Sequence, residues 1–255
     1  MQWHWEPLQQ VKLPGDRECP DFFPLTTADG ERRWILIGAN DRYLVGQFID
    51  GKFVVEQDSR PLGVGPVYYA AQTYDNAPDN RRVRIGWHRL PAPGCRFSQQ
   101  MGVPCDLTLV KHGDAFALCQ NPSPEILAMH VDKITYTGEA VTLLPGEAQD
   151  ILIEAENAPL AFTLRGVDIA WVPEKNTWVA AGEELPVIPG AEKPVLRIVA
   201  DVASLELFAG DGSACTVCAV TNTAADKNLH WNEKAPGLCC TAWSLKNIHE
   251  EEQNA

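Results

Sequence analysis

Residues 17–24 read Arg-Glu-Cys-Pro-Asp-Phe-Phe-Pro, and the chemistry available in them is proton transfer. Glu18 stands between the cationic Arg17 and an apolar run in which Pro20 and Pro24 each fix one φ angle. Pro20 also biases Cys19 toward an extended backbone. A carboxyl held beside Cys19 and Pro20 is expected to be partly desolvated. Desolvation raises a glutamate toward the range that a general acid uses near neutral pH. Asp21 follows in the same run as a second carboxylate able to hold or tune the first. These residue types also suit a structural strand end, so residue chemistry alone leaves both readings open.

The remaining reactive side chains form no comparable cluster. Eight cysteines are present, at Cys19, Cys95, Cys105, Cys119, Cys215, Cys218, Cys239 and Cys240. The count is even, but the chain is long and not cysteine-dense, so reduced thiols are expected. Cys215 and Cys218 have the spacing of half a zinc site. The adjacent Cys239 and Cys240 are unusual tetrahedral partners, and Cys215 to Val220 reads as an apolar strand. Packed core thiols are the preferred reading, and no metal or other cofactor is expected. His4, His112, His130, His230 and His249 show no ligand spacing.

The elements that must position Glu18 are short and β-rich. Runs of apolar residues are punctuated by Gly, Pro, Asn and Asp, which indicates propeller or sandwich architecture. Trp34 to Gly38 is an apolar inner strand. Tyr43 to Phe48 and Phe53 to Val55 flank an Asp50-Gly51 turn and read as a hairpin. Tyr68 to Thr73 and Arg82 to Trp87 are strands separated by the turn-rich stretch from Asp75 to Asn80. Asp106 to Val110 pairs with Ala115 to Leu118. Pro122 to Met129 reads as a short helix linking residues 1–130 to a second unit, 131–255. In that unit eight strands are expected: Ile151 to Glu154, Leu160 to Leu164, Val167 to Trp171, Thr177 to Ala180, Val195 to Ala200, Leu205 to Phe208, Ala214 to Val220 and Thr241 to Leu245. They match a β-sandwich. The tail from Glu250 to Ala255 is polar and expected to fray.

The chain has 255 residues and a formal charge of −13, from 34 acidic and 21 basic residues. That balance argues against nucleic acid, whose phosphates require a basic surface. No apolar run is long enough to span a membrane. No basic stretch followed by an apolar one opens the chain, so no signal peptide is visible; a cytoplasmic location is the default, an extracellular one if residues precede Met1.

Several segments together resemble glycoside hydrolase family 32, the invertases, inulinases and levanases. Glu18-Cys19-Pro20-Asp21 before Phe22-Phe23-Pro24-Leu25 is similar to that family's acid/base motif. Tyr68-Tyr69-Ala70-Ala71-Gln72-Thr73-Tyr74 resembles a second family segment. Pro78 to Trp87, then Pro93-Gly94 and Phe97-Ser98-Gln99-Gln100-Met101, resemble the levanase and inulinase branch. Leu196 to Asp201 and Glu206-Leu207-Phe208 before Gly210-Asp211-Gly212 resemble its last sandwich strands. The matches run in family order from about residue 1 to 249. The resemblance implies an all-β chain, a partial five-bladed β-propeller over 1–130 followed by a β-sandwich over 131–255. It implies cleavage of terminal β-fructosyl bonds in levan, inulin or sucrose by a retaining mechanism, without a cofactor. Glu18 is then the acid/base residue, Cys19 and Trp87 line the fructosyl pocket, and Arg17 and Asp21 support it, Asp21 by orienting Glu18. For Cys19 a buried thiol, and for Trp87 blade packing, are the competing readings.

The sequence departs from the family in places. The family nucleophile lies in an Asn-Asp-Pro-Asn segment, and a further aspartate in an Arg-Asp-Pro segment; neither occurs here. The pattern begins part-way through the propeller, which leaves open blade edges and predicts self-association or a missing N-terminal half as partner. The competing functional reading is a non-catalytic fructan-binding module or an inactive remnant. Val67 replaces a family aspartate. His88 follows Trp87 and reads as structural or sugar-contacting more than as a base. Pro104-Cys105-Asp106 lacks the family's Arg-Glu pair, which puts the local salt-bridge pattern in doubt.

Overall fold

The computed structural model describes residues 4–91, 96–136, 140–142, 144, 146–188, 194–221, 226–232 and 238–246. Pro93-Gly94, Cys95, His249 and the tail from Glu250 lie outside the described residues. The chain is almost entirely β-structure. The first sheet is a meander of β1 (Asp21–Thr26), β2 (Arg32–Ile37), β3 (Arg42–Ile49) and β4 (Lys52–Pro61), each antiparallel to the next. The β3–β4 turn places Asp50 at φ 51° and Gly51 at φ 77°. Two consecutive positive φ angles match the twist of the flanking strands, which is why Asp-Gly closes this hairpin.

After β5 (Gly63–Val64), the second sheet is built from β6 (Tyr68–Thr73), β7 (Val83–His88), β8 (Gln100–Met101), β9 (Cys105–His112) and β10 (Ala115–Pro122). Its order is β10-β9-β7-β6, with β8 beside β7. The two sheets face one another as successive blades. Phe23, Ile35, Ile37, Tyr43 and Val45 of the first pack on Leu107, Leu109, Phe116 and Leu118 of the second. A buried ion pair fastens the same junction. The Arg84 guanidinium on β7 bonds the Asp41 carboxylate at the β2–β3 turn and donates to Gln120 Oε1 on β10 at 2.8 Å. Burial would lower the guanidinium pKa, but the Asp41 charge overrides it, so Arg84 stays charged.

The expected helix is a single turn, α1 (Pro124–Leu127), opened by Pro124. The sandwich strands are β11 (His130–Thr135), β12 (Val141–Thr142), β13 (Gln149–Glu154), β14 (Leu160–Leu164), β15 (Val167–Val172), β16 (Thr177–Ala180), β17 (Glu183–Pro186), β18 (Val195–Ala200), β19 (Ser204–Ala209), β20 (Ala214–Ala219), β21 (Leu229–Trp231) and β22 (Cys239–Leu245). One sheet has the order β11-β22-β13-β18-β19-β20-β5, the other β12-β21-β14-β15-β16-β17. Because β5 comes from between the blades, the sandwich borrows an edge strand from the first part of the chain. Trp171, Trp178, Phe162, Ile151 and Leu196 lie in the core between the sheets. All eight strands expected from the sequence are present.

β19 is buried along its whole length. Alternation puts Leu205, Leu207 and Ala209 into the sandwich core and sends Ser204, Glu206 and Phe208 the other way. Phe208 meets Cys105 of β9, and Tyr68 of β6 meets Ala203 and Val217. The sandwich is therefore packed directly on the second blade. Cys215, Cys218 and Cys240 are buried and Cys239 is exposed. Burial pushes the Cys218 and Cys240 thiols up to about 12. Among the described residues, no group of three or more His, Cys, Asp or Glu is placed to hold a metal ion. Asp106 forms a bidentate ion pair with Arg81, which also binds Glu125. A salt bridge therefore forms at this segment, with Arg81 supplying the cation.

Candidate active site

Residues 15–20 reach their position as irregular backbone leading into β1 and tied down at several points. Asp16 is buried; its Oδ1 accepts from the Arg17 N–H at 3.0 Å and its Oδ2 from the Asn40 N–H at 2.6 Å. Gly38 leaves room for it, since a Cβ there would stand 2.4 Å from Asp16 Cγ. The Glu18 carbonyl accepts from the Ala39 N–H at 3.0 Å, and the Ala39 carbonyl from Ala70 at 2.9 Å. The segment is thereby pinned between β2 and β6.

Cys19 departs from the extended conformation expected before proline: its φ is +44°. The cost of this left-handed backbone is offset by the flanking ties. The Cys19 carbonyl accepts from Gln72 Nε2 at 3.0 Å. Asp21 Oδ2 accepts from both the N–H and the hydroxyl of Thr73, at 2.8 and 2.7 Å. Asp21 therefore fastens β1 to β6, and these bonds, rather than any to Glu18, define its place. β6 deforms as well. Ala70 has φ +48°, and the β6–β7 register shifts between Tyr69 and Gln72.

Glu18 itself is exposed, which corrects the expected desolvation. Pro20 and Arg17 are also exposed and do not enclose it, and Cys19 presents an exposed thiol rather than a buried one. What orients the carboxylate is a residue that the sequence reading passed over as strand. Tyr69 Oη donates to Glu18 Oε2 at 2.9 Å. That bond to an anion raises the Tyr69 phenol above its ordinary pKa. The Tyr69 ring meets Trp87 edge-on, with centroids 6.1 Å apart, and carries the Arg89 guanidinium 3.9 Å above it. Arg89 is held by the Pro66 carbonyl at 2.9 Å. Trp87 is 38% exposed, so one part of it packs and another faces solvent.

The result is an open surface of one carboxylate, a phenol, an indole and a guanidinium, with the Cys19 thiol beside it. Strand pairing explains the choice of side chains. Tyr69 lies opposite Trp87 and Tyr68 opposite His88, so Tyr69 and Trp87 share one face and their neighbours take the other. His88 consequently turns away from this surface, fully buried against the sandwich. Burial lowers it to about 4, so the imidazole is neutral and packed away from the Tyr69–Trp87 surface. Arg17 lines a shallow groove with Asp16, Glu18, Pro20 and Gly38.

Chemically, an exposed carboxyl bonded by a phenol beside an aromatic face suits protonation of an oxygen on a ligand stacked against Trp87. The family profile described as the glycosyl hydrolases family 32 N-terminal domain matches residues 2–122. A levanase of Bacillus sp. (strain L7) is 23% identical over 252 residues, covering 76% of this chain and 27% of that protein. A levanbiose-producing levanase of Geobacillus stearothermophilus is 24% identical over 264 residues, covering 92% of this chain and 60% of that protein. Among solved structures, an exo-inulinase from Aspergillus awamori superposes with a TM-score of 0.74 at 17% identity, over 90% of this chain and 57% of its own. A family 32 β-fructofuranosidase from Bombyx mori gives 0.68 at 20% identity, over 90% and 54%. The fold is that of these enzymes, part of a propeller followed by a sandwich. The chain spans little more than half the length of the solved structures.

Proposed function

Because residues 2–122 match the glycosyl hydrolases family 32 N-terminal domain, we propose that this chain contributes the acid/base residue and one wall of the fructosyl pocket to a β-fructofuranosidase acting on levan, inulin or sucrose. Glu18 protonates the glycosidic oxygen as the bond breaks, then takes a proton from the water that releases fructose. Trp87 offers its exposed face to the C–H face of the sugar. Tyr69 keeps the carboxylate turned toward the leaving oxygen. The observation carrying this reading is the Tyr69–Glu18 hydrogen bond beside a half-exposed Trp87.

A retaining mechanism needs a second carboxylate about 5 Å from the first. The family's nucleophile motif is not among residues 1–255, so in this reading the nucleophile comes from a segment outside them. The test is fructose release from sucrose, inulin and levan, measured for the 255-residue chain alone and joined to blades carrying that motif. Release only in the joined protein, abolished by Glu18→Gln, supports the proposal. Undiminished release in Glu18→Gln removes Glu18 from the mechanism.

A further inference from the structure

The sandwich touches the strand that carries Trp87, and it does so through polar side chains. Ser204 and Glu206 leave β19 on the side facing the second blade. Gln100 Nε2 donates to Ser204 Oγ at 2.7 Å, and the Val103 N–H donates to Glu206 Oε1 at 3.0 Å. Between these two anchors runs β8, which pairs directly with the site strand: Met101 lies opposite Trp87 and Gln100 opposite His88. The Gly102 N–H closes the set on the Gly86 carbonyl at 2.9 Å. The packing is tight, since a Cβ on Gly102 would stand 2.5 Å from His88 Nε2 and 3.2 Å from Glu206 Oε2.

We propose that Ser204 and Glu206 are positioning residues for Trp87, clamping segment 100–103 so that the sandwich sets the orientation of the indole in the site. The link to sugar binding rests on the function proposed above; the clamp itself does not. Two hooks on one strand hold Gln100 within a two-residue strand and Val103 just beyond it, and among the described residues the sheet partner of that strand is β7. Such a short pairing has little stability of its own, so the register of β8 against Trp87 depends on the hooks.

The clamp works with Glu206 as the neutral acid. Burial raises Glu206 to about 8. The ionisable groups near it are His88 on β7, Tyr68 on β6, Cys105 on β9, Cys215 on β20 and Asp201 before β19. His88 Nε2 is 3.7 Å from Glu206 Oε2, and neither ring nitrogen has a hydrogen-bond partner. With a neutral imidazole facing a protonated carboxyl this is no ion pair, and among the described residues no other basic side chain lies within ion-pairing distance of Glu206. Asp201, where it acts, opposes ionisation. Ionising Glu206 therefore strains the clamp.

The experiment uses the 255-residue chain labelled with 5-fluorotryptophan, the Trp87 fluorine resonance being assigned by its loss in Trp87→Phe. Titration from about pH 6 to 10 should move that resonance with a midpoint of about 8. In Glu206→Gln, which keeps the shape of the neutral acid, the midpoint should vanish while the resonance stays at its low-pH position. Ser204→Ala should shift or broaden it at neutral pH. A Trp87 resonance that is flat across the range, or that titrates identically in Glu206→Gln, overturns the proposal. Since no substrate is involved, this outcome is independent of fructose release, which tests the functional reading separately.

Discussion

Glu18 has no shelter from its neighbours, and its direction is set by one phenolic hydroxyl. A hydrogen bond to a charged group contributes about 1.5–3 kcal/mol. Tyr69→Phe should therefore cost about tenfold or more in kcat wherever fructose release is assayed, with KM little changed. Glu18→Gln should cost on the order of 10²- to 10⁴-fold. The same bond can be read without substrate. Because the Glu18 carboxylate is the main cause of the raised Tyr69 phenol, Glu18→Gln should let Tyr69 ionise at lower pH. Ultraviolet difference titration against Tyr69→Phe measures it, and an unchanged phenol titration would mean that the bond does not persist in solution. Glu18 and Trp87 stand out in the sequence as a motif and as an aromatic strand end, and the structure places both in contact with Tyr69. Tyr69 was not singled out, because choosing between Tyr68 and Tyr69 requires knowing which face of β6 meets Trp87. The left-handed Cys19 was hidden for a related reason. The preference of a residue before proline is local, and bonds from Ala39, Gln72 and Thr73 override it.

At the scale of elements, hairpins with a strong turn signal were readable and the shortest strands were not. Asp50-Gly51 announces β3–β4, and the Leu160–Phe162–Leu164 alternation announces β14. β12, β17 and β21 are two to four residues long and take their conformation from pairing rather than from their own propensity. What joins the elements is more polar than periodicity implies. Arg84 and Asp41 are both buried and bridge the two blades with Gln120. Removing one partner of such a pair leaves an uncompensated charge, a loss of about 3–5 kcal/mol. Arg84→Met should lower the denaturation midpoint accordingly, whereas replacing Asp41 and Arg84 together by apolar residues should recover much of it. If the single and double variants unfold alike, the pair is not what secures the blades. The double-facing burial of β19 could not be seen in advance either. Ser204, Glu206 and Phe208 alternate with apolar residues as on any half-solvated strand, and only the blade packed above reveals that both faces are covered.

For the whole molecule, the first sheet is apolar on both sides. Phe23, Ile35 and Val45 face the second blade, while Phe22 stacks on Trp34 at 4.7 Å and meets Phe48 at 5.6 Å on the opposite side, where Phe22 and Phe48 are exposed. An antiparallel sheet at the outside of a protein ordinarily turns a polar face to water, so this one has the composition of a layer inside a stack. The junction at the other end of the blades sets a pH range. Glu206 is raised from 4.5 to about 8 on folding; its contribution to stability is complete below pH 4.5 and is lost as pH rises through about 8. His88 is lowered from 6.5 to about 4; its contribution is complete above pH 6.5 and is lost as pH falls through about 4. Two residues 3.7 Å apart thus bound the stable range from opposite sides, one from the sandwich and one from the blade. Thermal unfolding followed against pH should give a dome. Glu206→Gln should flatten its alkaline limb and leave the acid limb in place, and His88→Gln should do the reverse. Carboxylates elsewhere also titrate on the acid side, so the alkaline limb is the sharper test. If Glu206→Gln leaves that limb unchanged, ionisation at this junction does not limit the fold.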